Sequence, residues 1–110
     1  FAVALSYAVG TDEAPKVIAK GADFMAQKIR EKAEESGVVI FEQPQLARAL
    51  YFTTEINHDI PRALFEAVAE VIAYVFKLNS FSRNGQSVKK PNLNIPSEMS
   101  FDETGKKLNE

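Results

Sequence analysis

The chain has 110 residues, enough for one ordinary domain and too few for two, and its 45% hydrophobic and 25% charged side chains sit near globular averages, which excludes disorder throughout. Thirteen basic against fifteen acidic residues leave a net charge of -2, so a nucleic-acid surface, which needs a concentrated positive field, is not expected. Without cysteine there is no disulfide, thiolate nucleophile, iron-sulfur cluster or Cys-based zinc site, and the single histidine, His58, removes multi-histidine sites; no metal or other cofactor is expected. The longest nearly apolar stretch, Ala67 to Phe76, is interrupted by Glu70 and is half the roughly 20 residues a membrane helix requires, so no direct membrane insertion is expected.

Phe1 stands first, with no basic segment leading into an apolar one, so the chain reads as a fragment or processed product with sequence missing upstream. Ala2 to Tyr7 (AVALSY) is an apolar run closed by Gly10, Thr11 and Asp12, which predicts a strand. After a loop containing Ala14-Pro15, Lys16 to Lys20 (KVIAK) predicts a second strand, ended by Gly21 and able to pair antiparallel with the first. From Ala22 the period becomes helical: Phe24, Met25, Ile29 and Ala33 mark an apolar face, Asp23 lies in the first turn, and Gly37 is placed to cap the end. The outer face, with Lys28, Arg30, Glu31, Lys32, Glu34 and Glu35, reads as solvated.

Val38 to Phe41 (VVIF) is apolar at every position and predicts a strand covered on both faces, which with the strand at 16–20 and the intervening helix makes a parallel, right-handed βαβ unit. Pro44 opens a short helix through Leu46, Ala47, Ala49 and Leu50 to about Tyr51; residues 52–59 connect; Pro61 opens a longer helix with Leu64, Phe65, Val68, Ala69, Val71, Ile72, Val75 and Phe76 as a broad apolar stripe for the core. The fold class is therefore α/β: a small mixed sheet with a parallel βαβ unit, packed by three to four helices, over residues 1–79. Beyond Asn79 the Ser, Asn, Lys, Pro and Gly content predicts a flexible C-terminal tail over 80–110, with docking confined to a segment near Leu93 to Ile95.

No phosphate loop, Ser-His-Asp order, HExxH helix or paired-Cys spacing is present. His58, in Asn57-His58-Asp59, reads as a surface residue without a role. Arg48 reads as a member of a structural ion pair, and Glu70 as the polar edge of the long helix. A polar pocket formed around Arg48 and Glu70 would instead favour a small α/β ligand-binding domain or enzyme with its site at the strand C-terminal ends.

Read as strings, Phe1 to Tyr7 (FAVALSY), Ala14 to Ala22 (APKVIAKGA), Gln45 to Tyr51 (QLARALY), Ile60-Pro61 and Ala67 to Val75 (AVAEVIAYV) resemble, in order and spacing, the cytoplasmic C-terminal domain of the FlhB/YscU family of type III secretion proteins, in its flagellar rather than injectisome branch. The resemblance implies a docking and switch component at the cytoplasmic face of the bacterial inner membrane, belonging to a membrane-embedded parent. Its partners would be export substrates of the rod and hook class, other export-gate components and its own N-terminal fragment, with specificity changing to filament-class substrates after autocleavage. A stand-alone paralogue supplying only this half, or an injectisome homologue, is the alternative within the family. The family's Asn-Pro-Thr-His signature, in which the Asn side chain attacks its own carbonyl and breaks the Asn-Pro bond, would lie just before Phe1; it is absent from this chain, so no catalytic residue is assigned. The resemblance also implies a hydrophobic recognition patch at Ala14, Pro15, Ala69 and Ile72, with Ile72 standing where Leu is common. Within the patch Ala69 is expected to be more buried than Pro15; the alternative is that Ala69 and Ile72 are core and that Pro15 merely stiffens a turn.

Overall fold

The computed structural model describes residues 1–8, 10–81 and 89–108. Strand β1 (Ala2–Ser6) pairs antiparallel with β2 (Lys16–Gly21). Ala4 lies opposite Ala19 and Leu5 opposite Val17, so Ile18 has no partner; it forms a bulge and is 50% exposed. Helix α1 (Asp23–Glu35) follows and turns only Ala26 fully inward, with Ile29 and Ala33 half-buried. Gly37 caps it as predicted, its N–H reaching the Glu34 carbonyl at 3.2 Å while that of Val38 reaches Ala33 at 2.9 Å. Phe24 and Met25, expected on the apolar face, are 67% and 54% exposed.

Helix α2 (Pro44–Thr53) buries Leu46, Ala49 and Leu50. Pro44 occupies the first turn, where an N–H would go unused, and the Gln43 side chain accepts from the Gln45 N–H at 3.3 Å. At its other end the Lys20 ammonium donates to the Tyr51 and Thr54 carbonyls, both at 2.9 Å, tying β2 to a helix terminus whose carbonyls would otherwise lack donors. A 3-10 turn (Arg62–Leu64) leads into α3 (Phe65–Phe81). Val17, Leu46, Ala49, Leu50, Ile60, Leu64, Ala67, Val68 and Phe101 form the core.

The α/β class and the three helices agree with expectation; the parallel βαβ unit does not. Among the described residues the sheet has two strands, paired antiparallel, and residues 38–41 form no strand. The free edge of β2 is taken instead by the connector: Val17 N–H donates to the His58 carbonyl at 3.1 Å, Asn57 N–H to Val17 at 2.6 Å and Ile60 N–H to Pro15 at 3.0 Å. With that edge occupied, Val38 and Ile40 stay exposed, and the run is held by Phe41, whose ring meets Tyr74 edge-on at 5.4 Å. An all-apolar tetrapeptide signals burial or strand only if an edge is free to receive it.

The C-terminal segment also departs from expectation. Residues 82–88 and 109–110 of the predicted tail lie outside the described residues, but Leu93, Ile95, Met99 and Phe101 all pack on the core, so docking extends beyond Leu93 and Ile95. Ser100 and Phe101 are buried; the Phe101 ring lies 5.8 Å from Phe52, which with Tyr51 and Phe1 makes one aromatic cluster. The Gln45 amide donates to the Ser100 hydroxyl at 2.9 Å and the Arg48 guanidinium to the Phe101 carbonyl at 2.8 Å. Composition alone hides this, because one aromatic ring, one side-chain donor to the Phe101 carbonyl and one to the Ser100 hydroxyl hold a segment otherwise polar.

Candidate functional site

Helix α3 is apolar on two sides. Leu64, Ala67, Val68 and Tyr74 face inward and are buried. Phe65, Ala69, Ile72 and Phe76, spaced four, three and four residues apart, form a second stripe on one helix face, where Phe65 is 41% and Phe76 45% exposed. Opposite this stripe the loop after β1 rises and returns through Ala14-Pro15 into β2. Its shape is set locally and by the connector: the Thr11 hydroxyl donates to the Ala8 carbonyl at 3.1 Å and accepts from the Glu13 N–H at 3.4 Å, and Pro15 accepts from Ile60. Between loop and helix lies a shallow groove of about 380 Å³, lined by Tyr7, Ala8, Thr11 to Pro15, and the four stripe residues.

All four residues of the expected patch line this groove: Ala14 and Pro15 on the loop wall, Ala69 and Ile72 on the helix wall. Ala69 is exposed while Pro15 is half-buried, the reverse of the order expected, and Ile72 is half-buried and packs partly on the core. Tyr7, Phe65 and Phe76 complete the apolar lining and were missed by the sequence reading. The signal was the breadth of the α3 stripe, too wide for one side of a helix to bury.

Arg48 and Glu70 do not converge. Arg48 borders a separate surface groove with Asp102, Glu103, Thr104 and Leu108, which Glu70 does not reach, and its Nε–H is committed to the Phe101 carbonyl rather than to the carboxylate partner expected. His58 lies exposed in the connector, its carbonyl engaged by Val17. Among the described residues no helix is long and apolar enough to cross a membrane.

Together these elements make a small α/β domain with an open apolar groove beside a two-stranded sheet. Residues 1–75 match the model of the FlhB HrpN YscU SpaS family, and the chain belongs to that family of bacterial export proteins. It is 45% identical over 103 residues to the flagellar biosynthetic protein FlhB of Salmonella typhimurium, covering 92% of this chain and 27% of that protein, and 44% identical over 101 residues to that of Buchnera aphidicola from Schizaphis graminum, covering 90% and 26%. The chain thus spans about a quarter of the length of these curated relatives. The crystal structure of the cytoplasmic domain of FlhB from Shewanella putrefaciens superposes with a TM-score of 0.81 at 44% identity, over 90% of this chain and 79% of that one. The PscU C-terminal domain superposes at 0.64 with 34% identity, over 67% and 94%.

Proposed function

We propose that this chain is the cytoplasmic docking and switch domain of a flagellar protein-export component, and that the groove between the 7–15 loop and α3 captures extended segments of rod- and hook-class substrates. The observation that carries this reading is the exposed stripe of Phe65, Ala69, Ile72 and Phe76 facing a Pro-containing loop across an open groove. A contiguous apolar surface left uncovered beside a complete core is the form a peptide-docking site takes. A few side chains offset the ordering of a flexible peptide only in part, so affinity is micromolar or weaker. That suits a site which must release each substrate onward. In this reading the membrane-embedded parent holds the domain at the cytoplasmic face of the inner membrane among other export-gate components. Cleavage at an Asn-Pro bond ahead of β1 then alters how the groove presents itself, with the N-terminal fragment still associated.

The test is Pro15→Asp and Ala69→Asp in the full-length protein, with export of hook-class proteins as readout and thermal melts of the isolated chain as control. Both positions are at least partly exposed, so each variant should melt within a few degrees of the parent, a surface substitution being worth about 0.5 kcal/mol, while hook-class export falls sharply. Undiminished export in both variants would return these residues to a purely structural role.

A further inference from the structure

Resting on that reading of the groove, we propose that Asp12 and Glu13 are specificity-determining residues, and that the segment docked there is one in which the apolar anchors are flanked by a lysine or arginine. Of the eleven side chains that line the groove among the described residues, these two alone are charged, and both are acidic. Lys16, next in the chain after Pro15, lies outside the lining. Both carboxylates are exposed, so their charge can act on an occupant. The Thr11 hydroxyl bridging Ala8 and Glu13, and the Pro15 carbonyl held by Ile60, fix the stretch that carries them, so the negative charge stands at a defined place on the loop wall opposite the stripe.

Exposed ion pairs contribute little to affinity, but they discriminate, because a like charge seated at the same place is repelled as an opposite one is drawn in. The apolar stripe therefore sets how tightly a segment is held, and the loop carboxylates set which segments and in which register.

Three ten-residue synthetic peptides sharing one Phe and one Leu, flanked by Lys, Gln or Glu, would be titrated into the chain and followed by amide chemical shifts at about 0.05 M and about 0.5 M salt. At low salt the Lys peptide should bind roughly three- to tenfold tighter than the Glu peptide with Gln between, and the spread should close at high salt and in the Asp12→Asn, Glu13→Gln double variant. Equal binding of all three peptides, or a spread that survives neutralising both residues, would overturn the assignment. A neutral obstruction, Ala69→Gln, separates this failure from failure of the groove itself. It should weaken all three peptides together; if it leaves them bound as before, or if no peptide binds the parent at all, the groove reading falls and the specificity assignment with it.

Discussion

Two apolar surfaces of this domain meet opposite fates. Beside α2 the C-terminal segment lays Phe101 into the core and is held by Gln45 and Arg48 from the helix and by its own turn at Asp102. On α3 the stripe of Phe65, Ala69, Ile72 and Phe76 has comparable apolar character, yet its facing loop satisfies its own polar groups through Thr11 and stands off, leaving a groove. The difference lies less in the apolar residues than in the polar ones around them. Where the neighbouring helix offers side-chain donors to the Ser100 hydroxyl and the Phe101 carbonyl, the segment docks without losing those hydrogen bonds; where the loop is held through its own Thr11, the surface stays open. The chain's own C-terminal segment covers the first surface, and the second stays open.

The largest break in this comparison is Phe101→Ala. Removing a ring buried among Phe52, Leu46 and their neighbours should destabilise the chain by about 3 kcal/mol and lower the melting temperature by about 15 °C, with loss of amide protection through 97–108. Truncating an aromatic of the open stripe, by contrast, removes a side chain already half in water. A melt of Phe101→Ala within a few degrees of the parent would mean that the C-terminal segment is only loosely applied.

A pair of glycines sharpens the contrast further. Gly10 in the groove loop and Gly105 in the C-terminal turn both adopt left-handed backbone, with φ of +79° and +91°, so alanine is strained at each by about 1 kcal/mol. Around Gly10 an added Cβ meets no atom within 4 Å, whereas at Gly105 it would come 2.9 Å from the Phe52 ring. Gly105→Ala should therefore cost about 2 kcal/mol and Gly10→Ala about half that, measured by urea unfolding. Equal costs would show that Phe52 yields freely and that the C-terminal turn is not tightly seated.

The same contrast marks what the sequence made legible. Local signals held: the prolines opening α2 and preceding α3, Gly37 closing α1, and the β1–β2 pairing across the Ala14-Pro15 loop. Ala14, Pro15, Ala69 and Ile72, which only the family resemblance had singled out, line one groove because α3 presents two of them on one face and the loop ends beside it. The failures were decided by competition between distant segments. Residues 57–60 reached the β2 edge that Val38 to Phe41 would have needed, and Phe101 found Phe52 and Arg48 more than 45 residues back along the chain. Neither contest is visible in a window of ten residues, since its outcome depends on which chain segment the fold carries to the shared edge first.

The smallest expected effect concerns the charge that closes the C-terminal turn. One oxygen of Asp102 accepts from the Thr104 hydroxyl at 2.7 Å, the Thr104 N–H at 2.9 Å and the Lys106 N–H at 3.0 Å. The Thr104 hydroxyl first, then the Lys106 N–H, hold its carboxyl below the usual carboxylate range, outweighing a small opposing effect of desolvation. Because the folded form ionises more readily than the unfolded one, its contribution is present in full above the unfolded value of about 4 and fades as pH falls through the lower folded value. Asp102→Asn keeps an acceptor oxygen and removes only the charge. Amide exchange at Thr104 and Lys106 should then be faster in the variant than in the parent at neutral pH, with the difference narrowing as the solution is acidified below about pH 4. The groove loop, whose Thr11 hydrogen bonds involve no titrating group, should show no such convergence. If the two proteins differ by as much in acid as at neutrality, the turn is held by acceptor geometry alone, and the carboxylate charge plays no part in keeping the covered surface covered.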